Sequence, residues 1–175
     1  VGNNRGGTVS SCTNEATVTM GESGDTHSSQ VSLGGVVGRT QKGGDLGTQG
    51  DISNCTNNGS VVCNAKLSEN IYIGGVLGYQ VEKKEYISGC VNNGLVKLGS
   101  TFSTGKSIQL GGVIGMGKGT IESCSNSSSG EVTTEAGSTG GNAKDYYIGV
   151  GGVVGRIHRE DGTYSGLTNA GTINF

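Results

Sequence analysis

Proline and tryptophan are absent from this chain of 175 residues, which holds only two Phe, six Tyr and two His. No apolar run approaches the roughly 18 residues of a membrane-spanning helix, which excludes insertion of this segment as such a helix. The net charge of −2 supplies neither a basic field for nucleic acid nor an acidic tail. Without proline, and without a strict period of three in its glycines, the chain is not collagen-like. Hydrophobic residues reach 31%, too few for the thick core of an ordinary domain of this size. What is abundant is Gly, 36 residues, with 51 Ser, Thr and Asn, together half of the chain. Such a composition fits a flexible linker, or a repeat protein whose backbone supplies most of its order.

Internal repeats decide between the two. LGGVVG spans 33–38, IGGVLG 73–78, LGGVIG 110–115 and VGGVVG 150–155, at offsets of 40, 37 and 40 residues. A second block follows each time: SCTN from 11, NCTN from 54, GCVN from 89, SCSN from 123 and GLTN from 166. A third, Gly-x-Val or its equivalent, closes the unit at 17, 59, 94, 130 and 171. A random linker does not keep three blocks in one order. The segments are short and apolar, separated by Gly and Asn corners, which is strand and turn chemistry.

Two all-β architectures fit such units. The Asn-Asn-Gly steps at 57 and 92 could each head a hairpin of an antiparallel sandwich. A β-solenoid alone explains why equivalent places hold identical residues, because equivalent residues stack about 4.8 Å apart along its axis. It also suits the lack of proline, since a missing N–H would break the ladder of a central strand. The expected fold is therefore an all-β, parallel β-helix-like solenoid of four to five coils. Each coil takes one repeat of 35–43 residues, with inserted loops at the edges. Its inward columns are Val36, Val76, Val113 and Val153; Val18, Val61, Val96, Val132 and Ile173; and Cys12, Cys55, Cys90, Cys124 and Leu167. A polar column of Asn14, Asn57, Asn92, Asn126 and Asn169 predicts a ladder, each amide donating to one coil and accepting from another.

The blocks resemble the GLUG motif, a short repeat of bacterial cell-surface proteins that include Bacteroidetes surface proteins and some Gram-positive immunoglobulin A peptidases. GVVG (35–38), GVLG (75–78), GVIG (112–115) and GVVG (152–155) carry the resemblance, with Val in place of Leu. The downstream Ile-x-x-Cys and Gly-x-Val also look like that family. The resemblance covers nearly the whole chain outside the spacers. It implies a cell-surface scaffold, and it specifies architecture more than activity.

The spacers fall into two groups, each expected at one edge of the solenoid. One holds 20–32, 64–72, 99–109 and 135–149; the other holds 39–51, 79–86, 116–120 and 156–163. The first carries Tyr72, Phe102, Tyr146 and Tyr147, half of the chain's aromatic residues. On a loop edge these rings could contact a sugar or anchor a protein partner, or they could plug the ends of the coils.

The five cysteines would ordinarily suggest disulfides. Stacked neighbours about 4.8 Å apart lie beyond the roughly 3.5 to 4.5 Å between Cβ atoms of a relaxed disulfide, so buried thiols are expected. Cys63 aligns with Met20, Leu98, Thr134 and Phe175 in another inward column. There is no Cys-x-x-Cys or Cys/His cluster for zinc, and no repeated acidic spacing for calcium. His27 and His158 lie in different spacer groups without a nucleophile motif near either. The column directly after each GGVxG, Arg39, Tyr79, Met116 and Arg156, mixes cation, ring and thioether, which is no repeated acid or base site.

The sequence thus reads as one domain over 1–175, non-enzymatic, without cofactor or metal, from an extracellular bacterial surface protein. It would serve as an adhesive or spacer module. Its expected partners are a host or matrix protein or glycan, or copies of itself end to end, and no nucleic acid. The alternatives are a scaffold domain of a larger secreted peptidase or glycan-degrading enzyme, and a fibre-forming subunit. Val1-Gly2 aligns with Val37-Gly38 and Phe175 falls just before another LGGV would come. A segment of a longer polypeptide, or a coil completed by a neighbouring molecule, is therefore expected.

Overall fold

The computed structural model describes residues 1–22, 25–41, 50–82, 84–99, 107–135, 148–158 and 162–175. Among them every regular element is a strand, and every strand pairs in parallel with its equivalent one coil away. The third coil shows the plan. Its strands are Ile71–Gly74, Leu77–Tyr79, Tyr86–Ser88, Val91–Asn92 and Leu95–Leu98, and each belongs to a different sheet. We call these sheets one to five in that order. Sheet one is four strands deep and the other four are five deep. A further two-stranded pair, Thr26–His27 with Lys66–Leu67, lies within the segments expected to be spacers. About three turns are enclosed on both sides, slightly fewer than the four to five coils expected, because the outermost layers each lack one neighbour.

Parallel stacking with exact repeats requires long crossovers rather than tight turns. The rest of each coil supplies them. The Asn-Asn-Gly steps therefore head no hairpin. Thr56–Asn57 and Val61–Cys63 lie in different sheets and pair only with neighbouring coils. The expected columns appear as register partners. Val61 pairs Val18 and Val96, Val96 pairs Val132, and Val132 pairs Ile173.

The thin hydrophobic content is divided between two narrow cores. One gathers Val36, Val76, Val113 and Val153 with Ile52, Ile87, Ile121 and the thiols of Cys55, Cys90 and Cys124. The other gathers Ile71, Ile73, Ile108 and Leu110 with Val61, Val96, Val132 and Cys63. Burying each such side chain is worth about 1.5 to 3 kcal/mol, so two slim columns suffice where one thick core is lacking.

The GGVxG glycines have separate roles. A Cβ on Gly75 would lie 2.2 Å from both Asn92 Oδ1 and the Gly112 carbonyl oxygen, so the corner presses directly on the asparagine column. A Cβ on Gly78, inside a strand, would lie 2.5 Å from the backbone nitrogen of Leu33. That glycine lets sheets one and two meet backbone to backbone, and it marks no corner.

Candidate binding surface

Three sets of side chains bear on function: the asparagine and cysteine columns, a buried carboxyl at the corner between sheets two and three, and a tyrosine–cation cluster along sheets one and two.

The asparagines form a continuous ladder. Asn14 Nδ2 donates to Asn57 Oδ1 at 2.7 Å, Asn57 to Asn92 at 2.8 Å, Asn92 to Asn126 at 2.8 Å and Asn126 to Asn169 at 2.9 Å. The same Nδ2 of Asn57 and of Asn92 also donates to the carbonyl two residues on, at 2.8 Å each. Asn57, Asn92 and Asn126 are buried. With all their polar atoms engaged inside the coil, they present nothing to a ligand.

Cys55, Cys63, Cys90 and Cys124 are buried and unbridged; Cys12, in the first layer, is also unbridged but exposed. Its place in the inward column is thus open to solvent, since no layer covers it. The thiols of Cys12, Cys55, Cys90 and Cys124 each donate to the carbonyl two residues earlier, at 3.3 to 3.5 Å. Burial pushes the thiols of Cys55 and Cys63 upward. A hydrogen bond with Cys124, together with burial, does the same for Cys90. The same hydrogen bond with Cys90 lowers the Cys124 thiol, against its burial, so the two share one proton inside the column, out of reach of solvent.

A polar cluster that recurrence in the sequence did not reveal sits between sheets two and three. Glu85 is fully buried, its Oε2 accepting from Thr40 Oγ1 of the preceding coil and from the Glu82 amide at 3.3 Å. Its Oε1 has no hydrogen-bond partner. Gln80 Nε2 donates to the Glu85 carbonyl at 2.8 Å, and Gln80 Oε1 accepts from the amides of Lys118 and Gly119 in the next coil. Burial raises the Glu85 carboxyl to about 7, against the donated hydrogen bonds, with Glu82 and Asp51 adding repulsion. The cluster staples three coils.

Of the rings singled out from the sequence, Phe102, Tyr146 and Tyr147 lie outside the described residues. Tyr72 is on no loop. It stands in the Ile71–Gly74 strand, only 6% exposed, with its ring centroid 4.5 Å from that of Tyr79 in sheet two. Burial and the neighbouring Tyr79 raise the Tyr72 phenol, while Arg156 and a hydrogen bond with Asn70 oppose the rise. Tyr79 is half-buried and is flanked in its ladder by Arg39 and Met116, with Arg156 beyond. The Lys118 ammonium sits over the Tyr79 ring, 5.2 Å from its centroid. Arg39 is half-buried, and its Nε is buried without a hydrogen-bond partner. The mixed column thus gathers cations around two rings. Lys118 escaped notice in the sequence because it lies outside the repeated blocks.

His27 and His158 are both exposed; His27 ends the Thr26–His27 strand, and His158 directly follows the Val154–Ile157 strand of sheet two. No group of three or more His, Cys, Asp or Glu among the described residues is placed to hold a metal ion.

Residues 29–62 match the family model described as the GLUG motif. That stretch covers the second coil from sheet one to the start of its strand in sheet five. No curated protein and no solved structure matches the chain.

Proposed function

We propose that this chain, a GLUG-repeat β-solenoid, is a non-enzymatic module of an extracellular bacterial surface protein, acting as a rigid spacer that presents an adhesive side. The observation that carries this reading is where the polar chemistry goes. The asparagine ladder and the buried thiols are spent on holding coils in register. What is left for recognition is the half-buried Arg39, Tyr79 and Arg156 of sheet two, with Lys118 beside them, and the segments between sheets. A stack of parallel strands also suits a spacer, since its length grows by about 4.8 Å per coil without a new core having to form.

Two measurements test this. Antibodies against the chain should label intact cells that produce the full-length protein, and external protease should remove the label; labelling only after lysis would contradict it. The purified chain should turn over no peptide or glycan in a substrate panel, and sustained turnover would favour a catalytic role instead.

A further inference from the structure

We propose that the Arg39–Tyr79–Lys118 cluster is a seat for the anionic groups, carboxylate or sulfate ester, of an acidic polysaccharide laid along the solenoid axis. This rests on the surface-module reading and supplies it with a ligand class. Three observations carry it.

First, Arg39 Nε is buried without a partner. A buried donor left unsatisfied costs about 1 to 3 kcal/mol, and one on a charged group more. With Nε shut off from solvent, the half-exposed guanidinium meets a ligand through its Nη groups, whose N–H bonds can take a carboxylate, or two oxygens of a sulfate, side by side.

Second, Lys118 is already held in place. Its ammonium lies over Tyr79, whose ring also packs on buried Tyr72, so the charge is positioned before any ligand arrives. Arg39 neighbours Tyr79 from the coil before, and Lys118 comes from the coil after. The two cations therefore flank Tyr79 at a separation of about two strand spacings, roughly 10 Å.

Third, neither ladder carries an acidic side chain. The ladder of Asn3, Arg39, Tyr79, Met116 and Arg156 and the adjacent ladder of Ser32, Tyr72, Gln109 and Gly149 contain no Asp or Glu, although the chain as a whole carries −2. Glu69 stands two residues before the Tyr72 strand, outside both ladders. A polysaccharide fits better than an acidic peptide. The interior strands of sheets one and two use both backbone edges in pairing with neighbouring coils, so a peptide's amides would find no strand edge to join.

The test uses the purified chain and titrates it by calorimetry with alginate oligosaccharides (carboxylate), heparin oligosaccharides (sulfate and carboxylate) and polyglutamate. At least one of the glycans should bind, more tightly than polyglutamate of equal charge, and which glycan binds identifies the anionic group. Arg39→Gln and Lys118→Gln should each weaken that binding about tenfold while leaving the melting temperature within a few degrees. Lys118→Arg should retain most of it. Glycan binding unchanged in both Gln variants, binding of polyglutamate as tight as of either glycan, or no glycan binding by the folded wild-type chain would each overturn the assignment. Surface labelling of intact cells is unaffected by these outcomes, so the ligand can fail while the surface-module reading stands.

Discussion

Asn92 shows how single residues hold the stack. Its Nδ2 donates to Asn126 and to the Gly94 carbonyl, and its Oδ1 accepts from Asn57, all out of water. Removing the side chain strands a donor on Asn57 and an acceptor on Asn126. Each stranded group costs about 1 to 3 kcal/mol, so Asn92→Ala is expected to lose about 2 to 5 kcal/mol in urea unfolding. Asn14→Ala, in the half-exposed first layer, should lose less than about 1 kcal/mol. Thiol chemistry reports the same gradient. In native protein Cys12 should react promptly with a thiol reagent, whereas Cys55, Cys63, Cys90 and Cys124 should react only on unfolding. Prompt labelling of Cys90 would contradict the buried column. The ladder residues were legible because the same residue type recurs at one place in every coil. Tyr72 was not, because its ladder runs through Ser32, Tyr72, Gln109 and Gly149, and no shared identity marked that position as strand.

Among the elements, the corners carry most of the local constraint. The residue between sheets three and four has positive φ in every coil: Ser11 at 53°, Asn54 at 52°, Gly89 at 62°, Ser123 at 52° and Gly166 at 61°. Only Gly adopts that region without a steric cost, and Asn bears it better than Ser. Ser123→Gly is therefore expected to raise stability by about 0.5 to 1 kcal/mol, and loss of stability would argue against the left-handed corner. The mixture of Ser, Asn and Gly before each Cys was visible in the sequence, yet its common cause is a backbone angle that only the structure displays. The corner between sheets two and three behaves differently, because Glu85 joins coils through a carboxyl raised from 4.5 to about 7. The folded state keeps this proton to a higher pH than the unfolded chain does. The stability it contributes is therefore fully present below about pH 4.5 and is lost as the pH rises through about 7. The loss is on the order of 2 to 3 kcal/mol. Glu85→Gln should flatten this decline in melting temperature, and an identical decline in the variant would remove Glu85 as its source. No repeat announced this residue, since its partner Thr40 lies a full coil away in sequence.

At the scale of the whole molecule, scarcity of hydrocarbon and abundance of glycine belong together. Two slim cores need few apolar side chains, and sheets one and two can meet at backbone distance only where glycine replaces a side chain. The solenoid was readable from periodicity because stacking makes like sit on like, whereas the division into two cores was not, because it depends on the inward GG corner meeting the asparagine ladder. The central claim is that equivalent residues of successive repeats lie directly above one another in parallel register. It is tested most directly by nuclear Overhauser contacts among the side-chain amides in a selectively Asn-labelled sample. The expected result is a chain of contacts from Asn14 to Asn57, Asn92, Asn126 and Asn169, each residue touching only its neighbours in that series. Absence of this chain of contacts, with the Asn57 amide instead touching Ser60 across an Asn58-Gly59 turn as in an antiparallel hairpin, would contradict it.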